Sequence, residues 1–288
     1  MPGIRTALAL LLLAGCRDPA PPAAAGLTDD AGVALRIATP PRRIVSLIPA
    51  TTELVFALGA GDRLVGRTSW CDFPAEALAV PDLGNGIGPN IEAVVAARPD
   101  LVLLYKSGSN RSAAEQLRSF GLATLELATD RMEDFDRITR LLGVALGKSV
   151  EAESLVVRTA RDLDSASVLP SSRPTVFILA WDRPPMTLGR GSFLSEILER
   201  AGARNLFDDL ATSSAPISIE AVASRNPDFV LVSGSGEPAI AERVEWQAVP
   251  AVRNRRFLRI DGSEFNRPSP RIGDAVRRLA AELRSAMR

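Results

Sequence analysis

The chain of 288 residues contains no histidine. That removes the side chain most often used as a general base near neutral pH, and the commonest neutral metal ligand. Ser-His-Asp and Cys-His catalysis are excluded, as are zinc or manganese sites built on histidine. Cysteine is almost as scarce: Cys16 and Cys71 are the only two, too few for a disulfide framework. Neither they nor any serine stand in the setting of a nucleophile elbow. Aromatic residues make up only 5% of the chain, with three tryptophans and one tyrosine, so the position of each is informative. Neither sign of charge is in excess. Lys+Arg and Asp+Glu both number 34, which leaves no electrostatic footprint for nucleic acid. The N-terminal apolar run Ala7–Leu13 is too short to span a membrane.

What is present begins with that run. Arg5 precedes it and Leu13-Ala14-Gly15-Cys16 follows, the charged, apolar and small-residue order of a signal peptide. Its ending resembles a bacterial lipobox over residues 1–16, which implies that Cys16 becomes the lipidated first residue of the mature protein. Ordinary secretion with an incidental cysteine is the plainer alternative. Residues 17–41 are expected to form a disordered tether, because Arg17–Ala31 is rich in Pro and Ala and lacks periodicity.

The folded body is organised by a stretch that occurs twice. Residues 91–104 read IEAVVAARPDLVLL and residues 219–232 read IEAVASRNPDFVLV, identical at eight of fourteen positions without a gap. Each copy has the pattern of a short helix, a Pro-Asp break and a buried parallel strand. Two copies at domain-sized spacing argue for two similar lobes rather than a solenoid, and so for a cleft between them. Strands alternating with helices on both sides predict an α/β fold with parallel sheets flanked by helices. The lobes are expected at residues 42–130 and 169–288, joined by a helical connection at 131–168. Within the first lobe, Thr51 or Thr52 is placed as the cap of a helix ending at Leu58. In the connection, Asp130 with Glu133 suggests a capping box, and Ser149 the cap of a second helix running to about Ser165. That helix, free of Gly and Pro, reads as a stiff rod that permits little hinge opening.

In such sheets ligands sit outside the carboxyl ends of the strands. Trp70, Phe73 and Tyr105 follow predicted strands of the first lobe, and Trp181 and Phe265 follow those of the second. Flat rings on both walls suit a large planar or macrocyclic ligand. Asp72, Asp182, Arg183 and Arg267 supply candidate polar contacts; packing of Trp181 and Phe265 in the lobe cores is the plainer alternative. The glycine-rich segments Gly84–Gly88 and Gly234–Gly236 lack a phosphate-loop fingerprint and read as tight turns near the ligand. Glu92 and Glu220 fall in the first turn of each repeated helix, where the helix dipole alone favours a carboxylate. Equally, two equivalent carboxylates suit a two-fold symmetric partner.

Four segments carry a family resemblance: Ile44-Val-Ser-Leu-Ile-Pro-Ala-Thr-Thr-Glu-Leu54, Ser69-Trp-Cys-Asp-Phe-Pro74, Asn90-Ile-Glu-Ala-Val94 with Arg98-Pro-Asp-Leu-Val102, and Phe265-Asn-Arg-Pro-Ser-Pro-Arg271. Together they resemble the cobalamin-binding periplasmic proteins of ABC importers, within the wider class whose two lobes are bridged by one helix (class III). The resemblance covers about Arg42 to the C-terminus. It implies a monomeric, extracytoplasmic lipoprotein without catalysis, resident cofactor or metal site of its own. Such a receptor captures cobalamin or a related corrinoid and delivers it to a permease dimer and its ATPase. It also implies that Glu92 and Glu220 dock onto permease arginines. Trp70 and Tyr105 match pocket aromatics of the family, with Asp72, Trp181, Phe265 and Arg267 as further expected contacts. Where the family carries other rings, this chain has Gly86, Ser214 and Ala180. A ferric siderophore or haem is the alternative cargo, with Tyr105 the only tyrosine able to ligate haem iron. A two-lobed enzyme or an orphan sensor is the remaining alternative.

Overall fold

The two copies of the repeated stretch fold alike, and the molecule can be built outward from them. A computed structural model describes residues 26–35, 37–168, 170 and 172–288. The first lobe comprises β1 (Leu27–Thr28), β2 (Ala34–Leu35), β3 (Ile44–Ser46), α1 (Pro49–Ala57), β4 (Leu64–Arg67), α2 (Ile91–Ala96), β5 (Leu101–Tyr105), α3 (Arg111–Ser119) and β6 (Thr124–Leu127). Two longer helices, α4 (Met132–Leu146) and α5 (Ser149–Ala166), carry the chain across. The second lobe holds β7 (Thr175–Asp182), β8 (Pro185–Leu188), α6 (Phe193–Arg200), β9 (Arg204–Asn205), β10 (Ser214–Pro216), α7 (Ile219–Arg225), β11 (Phe229–Ser233), α8 (Pro250–Arg253), β12 (Phe257–Ile260) and α9 (Ile272–Ala286).

The repeats are equivalent down to single residues. Asn90 and Ser218 cap α2 and α7, their side chains accepting from the N–H of Ala93 and Ala221. Arg98 and Asn226, one residue before each Pro-Asp, both adopt positive φ, at 48° and 47°. This left-handed turn lets the chain leave the helix within one residue and enter the strand. The aspartate that follows then fixes the neighbouring strand. Asp100 accepts the N–H groups of Arg42 and Arg43 just before β3, and Asp228 accepts the N–H of Thr175 at the start of β7. The strand orders match as well. The first lobe runs β4-β3-β5-β6, and the corresponding part of the second runs β9-β7-β11-β12, with every pairing parallel.

The second sheet also departs from the expected all-parallel plan. Trp181 does not follow a strand but lies in one, because residues 180–186 belong largely to a hairpin: β7 continues to Asp182 and pairs antiparallel with β8, which pairs antiparallel with β10. The turn falls at Arg183-Pro184, and Pro184 with Pro185, the first residue of β8, hides the second strand from pattern reading. The predicted tether is shorter than expected. Residues 27–35 form the β1–β2 hairpin, and Asp29, buried within it, accepts from the Arg118 guanidinium and from the N–H of Glu126. Asp30 accepts the N–H of Ala128 at 2.7 Å. The folded body therefore includes residues from Leu27 onward that the tether was expected to hold.

Helix caps also moved. Pro49 opens α1, so Thr51 and Thr52 lie inside the helix, and Ser149 is the first residue of α5 rather than its cap. At α4 it is Asp134, not Glu133, that accepts the N–H of Arg131 at 2.9 Å and of Asp130 at 3.0 Å.

The covalent crossing is helical as predicted, but it is not a bare rod. One continuous apolar cluster runs from Ile44 and Leu103 in the first lobe through Phe135, Leu142 and Leu155 of the connection to Val176, Leu231 and Val276 in the second. Separating the lobes exposes shared apolar surface, at about 25 cal/mol per Å².

Candidate functional site

The carboxyl ends of the strands from both lobes converge on one cavity of about 760 Å³. The first lobe contributes Leu47–Ala50 after β3, Ser69, Trp70 and Asp72 after β4, Tyr105 at the end of β5, and Thr129 and Asp130 after β6. Ser233 and Gly234 at β11, with Ile260–Ser263 and Phe265–Arg267 at and after the end of β12, form the opposite wall. The volume lies within the range of small-molecule sites. A second hollow of about 630 Å³ lies between α4, α5 and α6, away from the strand ends, and presents helix faces crowded with charge.

Trp70 dominates the first wall. Its side chain is 65% exposed on a loop whose neighbours are locked inside. Thr68 and Cys71 are fully buried, and the Cys71 thiol, a free cysteine, lies 3.1 Å from the hydroxyls of both Thr52 and Thr68. Ser46 and Thr51 extend this hydroxyl cluster beneath the loop. A rigid base under an exposed ring presents apolar area to a ligand with little ordering cost.

Tyr105 lies deeper and donates its hydroxyl to Asp130 Oδ1 at 2.6 Å. Burial and the facing Asp130 push its phenol above the ordinary tyrosine range. The 84–88 loop closes another side. Gly86 has a φ of 83°, and a Cβ there meets the Leu47 carbonyl oxygen at 2.6 Å, so no ring fits at this position without moving the loop. Asn110, missed in the sequence, ties this loop to Tyr105. Its buried amide donates to the carbonyls of Gly86 and Tyr105, and its Oδ1 accepts the N–H of Gly88. Its position before α3 resembles a cap, but the side chain caps nothing.

Asp72 and Arg267 meet across the cleft, Arg267 donating to Asp72 Oδ1 at 2.8 Å and to the Trp70 carbonyl at 3.2 Å. Behind them sits a charge network that sequence reading also missed. Glu53, 2% exposed on α1, is gripped by both arms of Arg271 at 2.7 and 2.9 Å. Arg271 in turn donates to Glu264 and covers the Phe73 ring at 4.0 Å. Glu53 is the only charge in α1, a signal that it needs a partner.

Two expected contacts are corrected. Phe265 borders the cavity but is only 2% exposed and packs in the core, beneath Arg278. Trp181 is 64% exposed but belongs to a separate depression with Asp182, Arg183 and Arg243, its indole N–H donating to the Arg183 carbonyl. The hairpin extension of β7 carries it there, and the ion pair of Asp182 with Arg243 at 2.6 Å keeps those side chains out of the main cavity. Trp246 is core, stacked on Phe177.

Glu92 and Glu220 are both exposed, each in the first turn of its capped helix. Cys16 lies outside the described residues. Among the described residues no helix is long and apolar enough to cross a membrane, and no cluster of three or more acidic or cysteine side chains is arranged to hold a metal ion.

With this geometry in hand, comparison with known proteins is informative. The profile of a family described as periplasmic binding protein matches residues 44–264. The uncharacterized ABC transporter substrate-binding lipoprotein YvrC of Bacillus subtilis is 29% identical over 96% of this chain and 94% of its own length. The vitamin B12-binding protein of Vibrio cholerae is 29% identical over 86% of this chain and 91% of its own. Among solved structures, the periplasmic heme-binding protein BhuT in complex with two hemes superposes with a TM-score of 0.77 at 26% identity, covering 87% of this chain and 100% of that one.

Proposed function

Since this chain belongs to the periplasmic binding protein family, we propose that it is the solute-capturing lipoprotein of an ABC importer and that its cargo is cobalamin or a related corrinoid. The observation that carries this reading is the single cavity at the strand ends of both lobes, with Trp70 exposed on a rigid base and Tyr105 at its back. Such a site holds a broad, flat ligand by burial and stacking. The corrinoid assignment draws on the vitamin B12-binding relative and on the sequence resemblance. Delivery is assigned to Glu92 and Glu220, two exposed carboxylates at equivalent helix starts that suit two equivalent basic sockets on a permease dimer. Cys16 is assigned as the lipid attachment point outside the cytoplasm, in line with the lipoprotein relative.

A second reading, haem as cargo, is favoured by the likeness to BhuT. It is opposed by the state of Tyr105, whose proton is held toward Asp130 and whose phenolate is disfavoured.

The test is calorimetric titration of the full chain in detergent with cyanocobalamin, dicyanocobinamide, haemin and a ferric siderophore. Saturable one-site binding of a corrinoid, with quenching of Trp fluorescence, is expected. Binding of haemin or the siderophore with no response to either corrinoid overturns the cargo assignment.

A further inference from the structure

The charge of the cavity is one-sided. Among the described residues that line it, the carboxylates are Asp72, Asp130 and Asp261, and the only cation is Arg267. Arg267 is already committed. It donates to Asp72 and to the carbonyls of Trp70 and Ser263, and its Nε lies 3.5 Å from Glu53. Asp72 is thereby paired, and Asp261 is paired with Arg278 at 2.6 Å.

Asp130 stands apart. Its Oδ1 accepts the Tyr105 hydroxyl at 2.6 Å, and among the described residues it has no cationic partner. The adjacent arginine, Arg131, is turned to Glu196 and Glu133. Asp134, which accepts the Asp130 backbone N–H at 3.0 Å, is itself paired with Arg137 at 2.7 Å. One oxygen of Asp130 therefore remains for the contents of the cleft, on a carboxylate that no cation pairs among the described residues.

We propose that Asp130 makes the cleft reject anionic cargo, so that the preferred ligand is a chelate fringed with neutral hydrogen-bond donors or positive charge rather than with carboxylates. This rests on the reading of the cleft as the cargo site and narrows the class of cargo. The free oxygen of Asp130 accepts a charge-assisted hydrogen bond from a carboxamide N–H, the peripheral group of a corrinoid. A ligand carboxylate in the same place meets a like charge, and no cation in the cavity is free to offset it. The Trp70 ring stacks on either ligand equally, so the discrimination falls on the fringe. A porphyrin with two carboxylates meets this objection twice, because ligation of its iron by Tyr105 also sets a phenolate against Asp130.

The experiment uses matched pairs with the full chain in detergent at constant salt. Dicyanocobinamide is compared with dicyanocobyrinic acid, which replaces the amides of the same ring by carboxylates. Ferrioxamine B, a cationic hydroxamate chelate, is compared with a triply anionic ferric tris-catecholate. Within each pair that binds, the neutral or cationic member is expected to win by about 30-fold or more, the effect of like charges some 8 Å apart at intermediate dielectric. D130N is expected to remove most of that gap, mainly through tighter binding of the anionic member. Y105F keeps the carboxylate and is expected to keep the preference. Equal binding within a pair, preference for the anionic member, a Y105F variant that behaves as D130N does, or no binding by either pair overturns the proposal. Cargo identity is read between the pairs: a hydroxamate preference without corrinoid binding sinks the corrinoid assignment and leaves the charge rule standing.

Discussion

At the scale of single residues, the site is held by groups that do not contact the cavity's centre. Asn110 is the clearest case, since one buried amide serves the carbonyls of Gly86 and Tyr105 and the N–H of Gly88. Asn110→Ala leaves those groups without partners and is expected to cost about 1–3 kcal/mol for each group left dry. Asn110→Asp, though isosteric, turns a carboxylate toward two carbonyl oxygens and is expected to be the worse of the two. Urea unfolding orders them; an Asp variant as stable as the native chain shows that the amide donors are not what holds the loop. Gly86 illustrates the converse. The backbone at that point admits no side chain, because the Leu47 carbonyl occupies the space.

At the scale of elements, the duplicated helix-and-strand unit was legible because every signal in it is local: an Asn or Ser cap, a short apolar stripe, a Pro-Asp break and an apolar run. Its aspartates and left-handed turns then fell at matched positions without further information. The elements misread were those fixed from a distance. Strands β8 and β10 exist because they pair with each other and with β7, across residues that by themselves resemble a loop. The N-terminal hairpin has strands of two residues and is held by Asp29 reaching Arg118 and Glu126, far along the chain. Tyr105 and Trp70 were legible as residues following strands, whereas Asp130 became visible only once Tyr105 was seen to point at it. The same paired units carry the docking prediction. Reversing charge at Glu92 and Glu220 together is expected to leave cargo affinity unchanged and to abolish uptake in cells, each lost charge contact costing about 2–5 kcal/mol if it is desolvated on docking. A loss of cargo affinity in that double variant removes them from the docking role.

At the scale of the whole molecule, the lobes are joined by more than their connecting helices. The shared apolar cluster and the pairing of Glu53 with Arg271 both cross the interface. Removing one partner of a buried ion pair of this kind typically costs about 3–5 kcal/mol, because the other charge is left unpaired. The proposed membrane attachment is likewise tested on the whole chain. Cys16→Ser is expected to move the protein from the membrane pellet to the soluble extracytoplasmic fraction, and unchanged fractionation excludes lipid at that residue.

The N-terminal hairpin gives the proposed attachment a length. With β1 sewn onto the first lobe by Asp29 and Asp30, only ten residues, 17–26, separate Cys16 from the first strand. Fully stretched, they reach about 35 Å. Under the proposed anchoring, a receptor on so short a leash stays close to the lipid surface. It would then meet a permease by sliding sideways in the plane of the membrane, at a height set in advance by hydrogen bonds to Asp29 and Asp30.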